Sequence, residues 1–146
     1  MSKKSILFVE SINEENKASI IRTISQSLIA VNKNTVYNYV ELGYSEYITS
    51  ILQIDHLKVG VTCQKFTDQE TYQIILDLNA KECDVIICVI QRKLENLIAV
   101  ETFAKNNNYS IRFIKSDWSN DLKISYLNND TIAEIIAVIN RISEKV

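Results

Sequence analysis

The chain has 146 residues, of which 47% are hydrophobic, and a net charge of −2 at pH 7. This length and composition predict a single globular domain over residues 1–146. The small negative charge and the absence of a basic cluster argue against nucleic acid or an anionic membrane surface as a partner. No apolar stretch is long enough for a membrane span or a signal-peptide core.

Cysteine and glycine usage narrows the possible chemistry. The three cysteines, Cys63, Cys83 and Cys88, are odd in number and include no C-x-x-C pair, so we expect free thiols in the cytoplasm and no metal site. The chain has no proline and only two glycines. Glycine-rich phosphate loops need several glycines and are excluded, and no cofactor is predicted.

Apolar runs alternate with segments of helical periodicity along the chain. The predicted elements, in order, are strand 5–10, helix 14–31, strand 36–41, helix 44–52, strand 57–63, helix 67–79, strand 84–90, helix 94–104, strand 109–115 and helix 130–142. Residues 122–127 form a candidate short extra strand before the last helix.

The strand at 84–90 is the best-defined element. From Val85 to Ile90 it contains no polar residue, and three of these six residues are isoleucine. A strand that is apolar on both faces must be covered on both, as in the centre of a parallel sheet between helices. The alternation of strands and helices therefore predicts an α/β protein with right-handed crossovers.

The predicted fold is a three-layer α/β/α sandwich with a five-stranded, mainly parallel sheet, built as one (βα)5 domain. Five strands suit the flavodoxin-like order 2-1-3-4-5. Apolar and other residues alternate along 57–63, however, as they do on an edge strand. The order 3-2-1-4-5, which puts that strand at an edge, therefore stays open.

In an open parallel sheet, the binding crevice lies beyond the carboxyl ends of the strands. The residues at those ends form the candidate crevice rim: Glu10, Ser11, Cys63, Gln91 and Lys115. An ion pair between Glu10 and Lys115 is an equally good explanation of those two residues. Cys63 is a poor nucleophile, because the only histidine, His56, begins the same strand at the opposite end. No catalytic residue is predicted.

The run Ile-Leu-Phe-Val-Glu-Ser-Ile-Asn-Glu-Glu-Asn-Lys at 6–17 and Phe-Ile-Lys at 113–115 resemble a response-regulator receiver domain. In that family an acidic pair after strand one binds Mg²⁺, an aspartate after strand three accepts a phosphoryl group, a Thr or Ser ends strand four and a lysine ends strand five. Glu10 and Lys115 match this pattern, whereas Ser11, Cys63 and Gln91 depart from it. The resemblance implies a pseudo-receiver that lacks the phospho-acceptor carboxylate.

A receiver-like layout without phosphorylation chemistry predicts a non-catalytic signalling or regulatory module that contacts another protein or forms a homodimer. The candidate interaction surface is Trp118, in the polar loop at 116–121, with Tyr109 and Phe113 of the preceding strand. In an alternative interpretation, Trp118 folds back over the last helix and is not a contact residue. The alternative function is a small-molecule or nucleotide-binding domain, or an enzyme, of flavodoxin-like or Rossmann-like form that uses the crevice.

Overall fold

A computed structural model of the chain describes residues 4–10, 24–30, 35–40, 49–54, 56–64, 68–90, 98–115 and 129–144. The strands in these ranges are β1 (Lys4–Glu10), β2 (Thr35–Val40), β3 (Thr49–Ile54), β4 (Leu57–Gln64), β5 (Val85–Ile90) and β6 (Tyr109–Lys115). The helices are α1 (24–30), α2 (Asp68–Ala80), α3 (Ile98–Asn106) and α4 (Asn129–Glu144). The predicted extra strand at 122–127 lies outside the described residues.

The six described strands form one mixed sheet in the order β2-β3-β4-β5-β1-β6. β4, β5, β1 and β6 are parallel to one another, whereas β3 is antiparallel to both β2 and β4. The predicted α/β class is confirmed. Both predicted strand orders, 2-1-3-4-5 and 3-2-1-4-5, are wrong.

The difference arises from β3, which occupies the second half of the helix predicted at 44–52. Ile51 packs on one face of the sheet, and Leu52 and Ile54 pack on the other. Because both faces of β3 are buried, apolar residues follow one another directly and imitate helical spacing. β3 turns into β4 through a two-residue hairpin, with Ile54 opposite Leu57. An antiparallel β2-β3-β4 unit therefore replaces part of the predicted (βα)5 repeat.

β4 lies inside the sheet, between β3 and β5, although its alternation resembled that of an edge strand. Gly60 explains why a strand with this alternation can lie inside the sheet. A β-carbon added there would lie 2.9 Å from Leu78 Cδ2 and 3.2 Å from Cys83 Sγ. The missing side chain lets α2 and the start of β5 approach this strand closely, so Gly60 marks a tightly covered position and Thr62 beside it is also buried.

Two buried clusters lie on opposite faces of the sheet, because alternate residues of β1, β3, β4, β5 and β6 contribute to one or the other. The first cluster includes α1 and α4, and the second includes α2 and α3. β5 divides its side chains between them, and Val85 to Val89 are all 0% exposed. The predicted burial of this strand on both faces is confirmed.

The end of α3 also matches the sequence, which predicts a stop at Asn106–Asn108. Asn108 has a positive φ of 61°, and the Asn107 side chain donates a 2.9 Å hydrogen bond to the Phe103 carbonyl. Asparagine tolerates this left-handed backbone better than most residues, so the turn follows directly from local sequence. No helix within the described ranges is long and apolar enough to cross a membrane.

We expect Gly60→Ala to lower the free energy of unfolding by about 1–3 kcal/mol, as measured by urea denaturation. The added methyl group would lie 2.9 Å from Leu78 Cδ2, so the Leu78 side chain, which is 0% exposed, would have to shift within the core. Leu78→Val removes the overlapping Cδ atoms, so the double variant should lose less stability than the two single losses combined. Thr102→Ala, on the exposed face of α3, is the control and should cost under about 0.5 kcal/mol. Strictly additive losses would contradict this explanation.

Candidate binding site at the carboxyl edge of the sheet

β1 and β5 are adjacent parallel strands whose next described helices pack on opposite faces of the sheet. α1, the next described helix after β1, places Ile24 and Leu28 in the same cluster as Leu7. α3, the next described helix after β5, places Val100 and Phe103 in the other cluster. Neighbouring strands that send their connections to opposite faces leave a crevice between their carboxyl ends, the topological switch point of an open α/β sheet.

The strand register places three of the five predicted rim residues at this edge. Glu10 is level with Ile90 on one side and with Lys115 on the other. Cys63 lies on β4, one residue before Gln64, which is also level with Ile90. Glu10 and Lys115 are therefore neighbours across β1 and β6, at the edge where the sequence predicts the crevice.

The observed strand order separates Cys63 from Glu10. β5 lies between their strands, whereas the order 2-1-3-4-5 would make those strands adjacent. Of the three described rim residues, Glu10 and Lys115 are therefore neighbours, and Cys63 lies two strands away from Glu10. Ser11 and Gln91 follow β1 and β5 directly in the sequence and lie outside the described residues.

Hydrogen bonds around Asp84 join neighbouring strands at the amino edge. Its Oδ2 accepts a 2.9 Å hydrogen bond from the Lys58 backbone N–H, and its own N–H donates to the Lys58 carbonyl at 2.7 Å. The Asp84 carbonyl accepts a 3.0 Å hydrogen bond from the Ser5 N–H. These bonds join β4, β5 and β1 and identify Asp84 as a structural residue. His56 is exposed in the β3–β4 turn at this same edge, remote from Cys63.

Tyr109 belongs to this amino edge, and its prediction as an interaction-surface residue is wrong. The residue is only 6% exposed. Its hydroxyl lies 2.5 Å from the Cys83 carbonyl oxygen and 3.2 Å from Asn79 Oδ1, and its ring stacks on Phe103 with centroids 6.0 Å apart. Although β6 is an edge strand, α3 covers the face on which Tyr109 lies. The alternation of Ile111 and Phe113 with Ser110 and Arg112 predicts a strand near an edge, but it does not reveal which residues of that strand a helix covers.

The buried groups at the amino edge keep their protons at neutral pH. Burial raises the pKa of the Cys83 thiol from 9.0 to about 11, with Lys58 and Lys81 opposing the shift and Asp84 adding to it. Burial likewise raises the pKa of Tyr109, and Cys83 and Asp84 add to that shift. Since the thiolate is the nucleophilic form of cysteine, Cys83 is not activated for catalysis.

Within the described part of the chain, no three His, Cys, Asp or Glu side chains are grouped so that they could hold a metal ion. Comparisons with protein-family models, with curated proteins and with solved structures find no match to this chain. The function therefore has to be inferred from the geometry of the sheet and the chemistry of its edges.

We expect the free energy of unfolding to fall as the pH rises from about 9 to about 11, the interval between the ordinary and the folded pKa of Cys83. Below this interval both the folded and the unfolded states keep the thiol proton, so the contribution is constant. Within it only the unfolded state loses the proton, which costs up to about 1.4 kcal/mol per pH unit. Urea denaturation at a series of pH values measures this slope.

Cys83→Ala isolates the contribution of this thiol. The variant should be less stable than the natural chain at pH 7, yet its stability should fall less steeply across the alkaline interval. Ile86→Val, in the same buried cluster, is destabilised without loss of a titrating group and should keep the natural slope. Equal slopes for Cys83→Ala and the natural chain would show that the thiol is not the group responsible.

Proposed function

We propose that this chain is a small-molecule-binding domain whose site is the crevice between the carboxyl ends of β5 and β1. The observation that carries the proposal is the packing of α1 and α3 on opposite faces of the sheet, beside two adjacent parallel strands. This is the position at which open α/β sheets bind ligands. We further infer that the whole chain is a three-layer α/β/α sandwich, which supplies rigid walls to the crevice.

Glu10 and Lys115 indicate the kind of ligand. They bring a carboxylate-bearing and an ammonium-bearing residue to neighbouring positions at the strand ends. With only two glycines, the chain has no glycine-rich backbone loop to hold a diphosphate. We therefore propose a small polar ligand without a diphosphate, recognised through Lys115 and Glu10 by charge-assisted hydrogen bonds.

We propose that the site binds its ligand without transforming it. Cys63 lies two strands from Glu10, and His56 lies in a turn at the opposite edge of the sheet. Nucleophilic catalysis needs a base within hydrogen-bonding distance of the nucleophile. The spacing of these residues supports a binding role.

A thermal-shift panel of polar metabolites, nucleotides and flavin tests the proposal. A ligand at about 100 times its Kd should stabilise the chain by about 2.7 kcal/mol, which raises the Tm by roughly 5–10 °C for a domain of this size. Lys115→Met should reduce that shift to under about 2 °C, because the substitution removes the ammonium group and keeps an unbranched side chain. Lys105→Met, exposed on α3, is the matched control and should keep the full shift.

The contribution of the Glu10 carboxylate to binding can be tested in the same assay with Glu10→Gln, which keeps the shape of the side chain and removes its charge. We expect a smaller shift than in the natural chain. A panel in which no compound raises the Tm of the natural chain, or in which Lys115→Met and Lys105→Met respond alike, would contradict a site at this edge.

Phe113 favours a second function, the non-catalytic regulatory module that acts through protein–protein contact. It lies on edge strand β6, is 47% exposed, and its ring stacks on the buried Phe8 ring with centroids 5.3 Å apart. An aromatic side chain held rigidly by the core and open to solvent is typical of an interface anchor. Trp118, the other predicted anchor, lies outside the described residues.

The receiver resemblance adds little to either proposal, because the strand order differs from 2-1-3-4-5. The pseudo-receiver hypothesis stays a proposal of its own, in which the module signals without phosphorylation. The free, buried thiol of Cys83 is consistent with a cytoplasmic location, which we also propose.

Incubation with acetyl phosphate and Mg²⁺ tests the absence of receiver chemistry. We expect no acid-stable, base-labile phosphoryl group on the intact protein by mass spectrometry, because Cys63 and Gln64, at the end of β4, offer no carboxylate there. A receiver domain that retains its phospho-acceptor aspartate serves as the positive control. Stoichiometric labelling of an aspartate in this chain would overturn the non-phosphorylated module.

A further inference from the structure

We propose that a second copy of this chain pairs with the outer edge of β6, so that two sheets join through antiparallel β6–β6 pairing about a two-fold axis. The inference rests on the proposed regulatory function and names the partner of that same edge. β6 is the last strand in the order and pairs only with β1 among the described strands. A seven-residue edge strand whose outer side no other described strand covers presents a row of backbone donors and acceptors that another strand can pair with.

The charges at this edge are self-complementary. On one face of β6, Arg112 Nη2 lies 3.2 Å from Glu134 Oε1 of α4, and the two side chains are 44% and 42% exposed. A two-fold axis brings any surface patch onto its own copy. A patch that holds one positive and one negative group side by side can therefore place each charge near the opposite charge of the second copy, which a single-sign patch cannot do.

The other face of β6 supplies the apolar part of the contact. Phe113 is exposed there, and Ile111 on the same face is partly buried against the cluster of α2 and α3. In isolation the outer side of the Phe113 ring remains in water. Burying both copies of this ring gives the dimer a hydrophobic contribution that backbone pairing by itself lacks.

The side chains also select a register. Pairing centred on Arg112 would place the two guanidinium groups directly opposite each other, which destabilises a strand pair. Pairing centred on Ile111 instead places Arg112 opposite Ser110 of the second copy and Phe113 opposite Tyr109. Residues 109–113 of each copy then pair through their backbones, with the exposed Phe113 side chains on one face and the Arg112 and Ser110 side chains on the other.

Charge reversal tests this dimer by analytical ultracentrifugation of the full chain. We expect the natural chain to dimerise, and Arg112→Glu and Glu134→Arg each to raise the dimer Kd by about tenfold or more, which corresponds to about 1.4 kcal/mol. An equimolar mixture of the two variants should dimerise at least as well as the natural chain, because one copy then carries two negative charges and the other two positive charges at positions 112 and 134. Mixing cannot restore an ion pair made within one chain, so recovery identifies a contact between copies.

Two further measurements keep the test decisive. Phe113→Ser should weaken the dimer while its circular dichroism stays unchanged, and the β6 amides of the natural chain should lose hydrogen-exchange protection on dilution. Arg141→Glu, an equal charge change on exposed α4, should leave the dimer intact. Loss of the dimer in Arg141→Glu without loss in Arg112→Glu would place the contact on α4 and overturn β6 pairing.

A chain that stays monomeric at about 100 μM would overturn the proposal, because a specific dimer of this kind should form well below that concentration. A photo-crosslinker at position 113 separates this failure from failure of the regulatory function. A crosslink to a second copy supports the dimer. A crosslink to a different protein overturns the dimer and retains the regulatory function, and no crosslink at any concentration overturns both.

Discussion

Burial of β5 on both faces is the constraint on which the rest of the structure depends. Val85 to Val89 are completely buried, which by itself stabilises the folded state by roughly 1.5–3 kcal/mol for each large side chain. The backbone groups of such a strand have no access to water, so they must pair with a strand on each side, here β4 and β1. Helices must then cover each face. The crevice between β5 and β1 follows, since it lies where the chain changes from one face to the other.

The two ends of the sheet have different physical roles. At the amino edge, Asp84 joins three strands through backbone hydrogen bonds, and the buried hydroxyl of Tyr109 ties β6 to the turn before β5. Each of these buried polar groups has a partner, as stability requires. At the carboxyl edge, Glu10 and Lys115 end neighbouring strands. Buried hydrogen bonds therefore hold the amino edge together, whereas the proposed binding site lies at the carboxyl edge.

Edge strand β6 both packs against the core and presents exposed side chains. One of its faces carries Phe113 against the core and the other carries the Arg112–Glu134 pair, while its amino end is held by Tyr109. A surface ion pair of this exposure contributes little to the stability of a single chain. Its value is greater as a recognition element, because charges set orientation and register when strands or subunits meet.

The sequence by itself determined the α/β class, the two-sided burial of β5, the edge character of β6 and the position of Glu10 and Lys115 at strand ends. Each of these follows from a local apolar pattern. Only the tertiary structure decided that 49–54 is a strand, that Gly60 marks close packing and that Tyr109 is covered. Strand order depends on which distant segments pair, and a strand buried on both faces has the same apolar run as a helix. Local periodicity therefore could not distinguish a strand from a helix at 49–54. The switch point between β5 and β1 depends on which face of the sheet each helix covers, and local periodicity does not show this.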